Sequence, residues 1–355
     1  MNAVAQKNLC AEILAAQIRR HGPITLADFM AAAVDAYYAK GDVFGTGGDF
    51  TTAPEISQVF GELIGLWAAV TWQRLGSPHP FYFIECGPGR GTLMHDALRA
   101  AAHVDGFAKA ADVRLVERSA ALKALQRKTL GERAVTWHET LDEIPSGPFI
   151  LIANEFLDAL PIRQFEKTAK GWSERCVTVE NDGTFKLIRR PVPNFPDPTD
   201  AARGAIVEVS PAVDAFAAQV AAAVARYNGA ALFIDYGHTQ SGMGDTLQAV
   251  KDHQFADVLA APGDVDLTAH VDFQRVAQIA MANGAAVHGP VEQGAWLTQL
   301  GVQLRAARLT AGKPADVAAN IDAGVARLVN ADAMGSLFKV IALTAPAAPA
   351  LEGFA

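Results

Sequence analysis

The chain has 355 residues, half of them hydrophobic, and a formal net charge of −8. That length accommodates one large α/β domain with additions, or two domains, with enough apolar material for a sizeable core. The acidic balance disfavours a general nucleic-acid binder, whose footprint is a basic stripe, and the separated Cys10, Cys86 and Cys176 fit neither a disulfide framework nor a zinc ligand set.

Free thiols suit a reducing compartment, and the first residues follow an amphipathic pattern rather than a secretory one, so the expected home is the cytoplasm. The most apolar long stretch, 215–234, is interrupted by Gln219, Arg226 and Asn228, so no membrane span is expected.

Residues 3–20 and 26–38 show helical apolar spacing, punctuated by Gly22-Pro23, with Thr25 as an N-cap. The glycine-rich, polar stretch 41–55 reads as a long loop, and such loops are either functional or passive linkers. Phe50 and Pro54 argue for order, hence for a flap over a site. Pro54 suits the first turn of a helix on which Ile56, Val59, Phe60, Leu63, Trp67 and Val70 share a face. Residues 1–75 thus form a helical prelude with its flap.

The apolar run from Phe81 to Ile84 then ends abruptly in Glu85, Cys86 and the alternately spaced Gly87, Gly89 and Gly91. This is a buried strand feeding a helix. The glycines let a ligand lie on the backbone, Pro88 stiffens the loop, and the helix start points free amides at its contents. In a dinucleotide enzyme those amides meet a pyrophosphate. A carboxylate at the position of Glu85 repels phosphate and welcomes an ammonium or a sulfonium, which favours S-adenosyl-L-methionine over NAD.

Strands at 113–117, 134–137 and 148–153, with a helix at 119–130, continue a doubly wound pattern that places ligands at the carboxyl ends of a parallel sheet. Residues 162–190 read as antiparallel strands turning at Asn181-Asp182-Gly183, followed by a proline-rich connection. A strand at 206–209, a helix at 211–227 and a buried strand at 230–234 come next. Polar loops fill 239–268, helices 271–283, 295–311 and 315–330, and strands 286–288 and 336–343. The count permits a seven-stranded, mostly parallel sheet over 76–344, with insertions at about 162–205 and 239–335 and a flexible tail at 345–355.

Glu117 ends the second strand near the offset expected of a ribose-binding acid. Trp137 ends the third, where it either flanks an adenine ring or fills the core. Asn154, Glu155 and Asp158 follow the fourth strand and bring two carboxylates and an amide to the reaction edge. Paired carboxylates hold a guanidinium in bidentate fashion and can take its proton; the alternative is an acidic helix start. Asp49, Glu55, Asp235 and His238 are further polar candidates. His253, Asp264, Asp266 and His270 match no trusted ligand spacing, so no metal is expected.

Taken together, the segments Gly47 to Glu55, Glu85 to Leu93, Asn154 to Pro161, Ile234 to His238, Pro262 to Phe273 and Gly335 to Val340 resemble the MidA-like family of class I S-adenosylmethionine-dependent methyltransferases, over nearly the whole chain. One departure is Ala33 to Lys40, where family members often carry a stretch rich in proline and tyrosine. The resemblance implies a Rossmann-like fold and a protein arginine methyltransferase acting on the quinone-proximal peripheral subunit of complex I.

The expected cofactor contacts are Asp49, Thr51, Thr52, Glu55, Glu85, Gly87, Pro88, Gly89, Gly91, Thr92, Glu117, Trp137 and Asn154, and the expected catalytic residues are Glu155, Asp158 and Asp235. Other readings are an assembly chaperone that keeps the fold without the reaction, and a methyltransferase of small molecules. The sequence sets no oligomeric state.

Overall fold

The computed structural model describes residues 8–41, 51–196, 201–251 and 254–354. Asp49, the first part of the flap, His253 and residues 3–7 of the first expected helix lie outside the described residues.

The central sheet is built from β1 (Phe81–Cys86), β2 (Ala111–Val116), β3 (Val135–His138), β4 (Phe149–Asn154), β5 (Ala230–His238), β6 (Ala286–Glu292) and β7 (Phe338–Thr344). Their spatial order is 3-2-1-4-5-7-6, with β1 to β5 parallel and β7 antiparallel to both neighbours. The doubly wound, mostly parallel sheet is therefore the observed one. A two-residue strand, Val271–Asp272, adds to the end of β5. The chain reverses direction across the sheet at β1 and β4, and the crevice at their carboxyl ends is where such folds place ligands.

Period-two alternation divides the core between the two faces of this sheet. Phe81 and Phe83 join Leu232 and Ile234 on one face, beneath the helices Gln58–Arg74, Thr92–Ala101 and Ala315–Val329. Ile84 and Cys86 join Ala231 and Phe233 on the other, beneath Pro211–Tyr227 and Phe273–Ala282. Helix Gln58–Arg74 approaches Thr92–Ala101 through Gly61 and Gly65; a Cβ on Gly65 would lie 2.2 Å from the Ala97 carbonyl oxygen. That close fit seats the helix that follows the glycine loop.

A third core joins the N-terminal helices Leu9–His21 and Leu26–Tyr38 to an antiparallel sheet of Arg163–Thr168, Gly171–Val179, Phe185–Pro191, Ile206–Val209 and Ile24–Thr25. Leu14, Ile18, Phe29 and Met30 meet Ile162, Val177 and Phe185 there. Thr25 caps the second helix as expected, in a reciprocal pair with Asp28.

Several local expectations change. The helix expected from Pro54 onward breaks at Ser57, whose extended backbone (φ −155°) separates the single turn Ala53–Ile56 from Gln58–Arg74. The helix expected at 295–311 is two helices divided at Gly301 (φ +83°). The region expected as polar loops holds a small sheet of Gln248–Lys251, Gln254–Ala256 and Asp266–Thr268, strands too short to show a period. The tail, expected to be flexible, folds back: Leu351 is buried, Trp67 donates to the Glu352 carbonyl at 3.2 Å, and Arg74 pairs with the Glu352 carboxylate. No described helix is long and apolar enough to cross a membrane.

Candidate active site

A cleft of about 760 Å³ opens at the carboxyl ends of β1, β2 and β4, closed on one side by the turn Ala53–Ile56 and the end of helix Leu26–Tyr38. Of the expected site residues, Thr52, Glu55, Glu85, Gly87, Pro88, Gly89, Thr92, Glu117, Asn154 and Glu155 line it. Thr51, Gly91, Trp137, Asp158 and Asp235 do not.

The floor is the loop after β1. Gly87 has φ +62°, and a Cβ there would lie 2.7 Å from the Phe156 ring, so both conformation and space require glycine. The turn closes through a hydrogen bond from the Gly91 amide to the Pro88 carbonyl at 2.7 Å, after which helix Thr92–Ala101 begins. The break at Ser57 leaves Glu55 on the single turn facing this loop, where it accepts from the Thr92 hydroxyl and pairs with Arg90 at 3.7 Å. Glu55 thus fastens the flap to the floor.

Glu85 is buried, takes a hydrogen bond from the Met94 amide, and leaves Oε2 without a partner among the described residues. Burial pushes its carboxyl up to about 8. An ionised carboxylate in that position lacks a cation, which is the chemistry a sulfonium or ammonium group of S-adenosyl-L-methionine brings. The residues present therefore fit that cofactor. Glu117 sits beyond the loop with Oε1 accepting from the Ser119 amide at 2.8 Å and Oε2 from Gln126 at 3.1 Å; burial raises its pKa.

The segment after β4 supplies the acids. Glu155 adopts φ +48°, a region uncommon outside glycine, and its Oε1 accepts from the Ala53 amide at 2.8 Å and from Asn154 at 3.1 Å. Burial raises its carboxyl to about 7 against those bonds, and Asp158 adds to the rise. Asp158 is set back from the cleft, takes a hydrogen bond from Tyr236, and keeps Oδ1 without a partner among the described residues; burial raises it to about 6.

Two of the expected site residues make their hydrogen bonds away from the cleft. Asp235 was expected among the reacting groups, but it is fully buried. Its Oδ2 accepts the amides of Phe156, Leu157 and Asp158 at 3.1, 2.9 and 3.2 Å, and its Oδ1 that of Tyr236 at 3.0 Å. It shapes the acidic turn from behind. Trp137, expected either beside an adenine or in the core, points its Nε1 to Gln126 at 2.8 Å and carries Arg127 over its ring at 4.7 Å. Those partners hold it out of the cleft.

Sequence reasoning passed over Gln126 and Tyr38. Tyr38 lines the cleft from the end of its helix. Gln126 had a legible signal: it is a polar residue in the middle of the buried stripe Leu122, Gln126, Leu130.

Comparison with known proteins agrees with this geometry. Residues 63–291 match a family model for S-adenosyl-L-methionine-dependent methyltransferases. The mouse protein arginine methyltransferase NDUFAF7 is 36% identical, covering 92% of this chain and 82% of that one, and the human NDUFAF7 is 34% identical with 92% and 81% covered. A crystal structure from Burkholderia thailandensis, of a methyl transferase candidate bound to S-adenosyl-homocysteine, superimposes with a TM-score of 0.85 at 30% identity, covering 98% of this chain and 94% of that one. The mouse and human relatives are mitochondrial proteins, which overturns the expectation of a cytoplasmic home. Free thiols report reducing surroundings and do not distinguish one reducing compartment from another.

Proposed function

The chain belongs to this family of S-adenosyl-L-methionine-dependent methyltransferases, and from that premise we propose that it methylates an arginine side chain of a protein. The cofactor supplies a methyl group on a positively charged sulfur. Glu85 would face its cationic end, the loop from Gly87 to Thr92 would carry it, and Glu117 would accept from its ribose hydroxyls.

The observation that carries the arginine reading is the acidic end of the cleft, with Glu155 on the wall and Asp158 behind it. A guanidinium remains charged at every working pH and matches a carboxylate with two parallel donors. Glu155 would orient it and take the proton that leaves the nitrogen as the N–C bond forms, the methyl carbon's bond to sulfur breaking to leave a neutral thioether. With its carboxyl raised to about 7, Glu155 suits that transfer near neutral pH. Asp235 keeps the turn in shape by gathering its amides. The mouse and human relatives support the arginine assignment, since both are protein arginine methyltransferases. The finer part, that the target is the quinone-proximal peripheral subunit of complex I and that the mark serves complex I assembly, follows from the family resemblance and is proposed with it.

The test is incubation of the full chain with isotopically labelled S-adenosylmethionine and peripheral-arm subunits of complex I, followed by amino-acid analysis. Label should appear on arginine, with kcat/KM falling about tenfold per pH unit below the Glu155 transition. Glu155→Gln should lower the rate by about a hundredfold or more while S-adenosylhomocysteine binding stays within a few fold. Label on lysine, or an unchanged rate in that variant, would overturn the proposal.

A further inference from the structure

Gln126 lies midway along helix Ala120–Leu130 and has no exposed surface. A buried primary amide is costly unless its donors and acceptor are matched. Here they are. Nε2 donates to the Gly89 carbonyl at 2.8 Å and to Glu117 Oε2 at 3.1 Å, and Oε1 accepts from Trp137 Nε1 at 2.8 Å. Reversing the amide would set oxygen against the Gly89 carbonyl and the Glu117 carboxylate, and a donor against the Trp137 N–H, so its orientation is fixed by its partners. One side chain thereby ties together the loop after β1, the acid after β2 and the end of β3.

We propose that Gln126 sets recognition of the cofactor ribose, by fixing the Glu117 carboxylate relative to the glycine loop. This rests on the reading that Glu117 meets the ribose. Gln126 does not line the cleft, so it is a positioning residue. Its effect has two parts. Donation from Nε2 favours the ionised form of Glu117, which burial opposes. It also occupies a fixed site on Oε2 while the Ser119 and Arg118 amides engage the same carboxylate, so the acceptor capacity left for a ribose hydroxyl has a set direction. Because the same amide also holds Gly89, it adds a side-chain tie between the loop and the acid to the backbone pairing of β1 with β2. A ligand spanning both contacts then meets a site already in shape. Charged groups at this point among the described residues include Arg118, paired with Asp35, Lys123, paired with Glu139, and Arg127 over the Trp137 ring.

The experiment is isothermal titration of the full chain with S-adenosylhomocysteine and with its 2′,3′-dideoxyribose analogue. Binding of the natural ligand to the native chain reads the cofactor assignment; the ratio between the two ligands in the variants reads this proposal. In Gln126→Leu the natural ligand should weaken about 10-fold to 100-fold and the dideoxy analogue less than about threefold, so that the preference for hydroxyls collapses. Equal losses for both ligands, or no loss for either, would overturn the assignment. Gln126→Glu keeps the shape but replaces a donor with an acceptor, and serves if the leucine variant does not fold. Its shortfall against the native chain should shrink as pH falls and position 126 regains a proton to donate. A shortfall independent of pH would overturn the proposal equally.

Discussion

Replacing Glu85 by glutamine separates what this residue does for the fold from what it does for the ligand. In the unfolded chain its carboxyl titrates near 4.5; in the fold, burial raises it to about 8. Between those values the folded chain holds a proton that the unfolded chain has released, so stability falls as pH rises through this window. Keeping the shape of the protonated acid without its charge, glutamine should match the native stability near pH 4 and exceed it by about 3 kcal/mol at pH 7 and about 5 kcal/mol above pH 8. Chemical denaturation of the ligand-free chains at these pH values measures the difference. Affinity should move the other way, because a hydrogen bond or ion contact to a buried carboxylate is worth about 1.5–3 kcal/mol, so S-adenosylmethionine should bind about 10-fold to 100-fold more weakly. Comparison with S-adenosylhomocysteine, which lacks the sulfonium charge, distinguishes the group that Glu85 faces: a larger loss for S-adenosylmethionine marks the sulfonium, equal losses the ammonium. A variant less stable than native at pH 8, or one that binds both ligands at native strength, would refute the account of Glu85 as an unpartnered acid awaiting a cation.

Two further substitutions probe the support of the site. Asp235→Ala strands the amides of residues 156–158 and should cost about 3 kcal/mol of stability with loss of methylation, whereas Asp235→Asn, which retains an acceptor, should recover most of that stability; equal unfolding midpoints for the two variants would remove the positioning role. Gly65→Ala places a methyl group 2.2 Å from the Ala97 carbonyl oxygen, so the two helices must part, at about 3 kcal/mol or more in denaturant titration, with weaker S-adenosylhomocysteine binding as the helix after the glycine loop shifts; a neutral outcome would show that the helix contact is soft.

Much of this molecule could be read from local pattern, because local pattern reports local physics. The abrupt end of Phe81 to Ile84 at Glu85 and the glycines placed both the strand and the cofactor loop, since burial period and backbone freedom are properties of a few adjacent residues. The charge of Glu85 indicated the sign of the ligand. The segment from Asn154 to Pro161 was legible as an acidic turn at a strand end, and Thr25 as a cap.

The remainder depends on contacts between residues far apart in the chain, where spacing carries no information. Glu155 is held by the amide of Ala53, 102 positions away, and the turn from Phe156 to Asp158 by Asp235, nearly 80 positions away. Only the folded chain shows that Asp235 spends its carboxylate on backbone amides, that Asp158 stands behind the wall, and that Trp137 turns to Gln126 instead of to the cleft. Periodicity tells which face of a strand or helix is buried; it does not tell which partner meets it. For that reason the sequence determined the sheet, the cofactor class and the acidic character of the site, while the tertiary structure decided which carboxylates face the cleft and which hold the others in place.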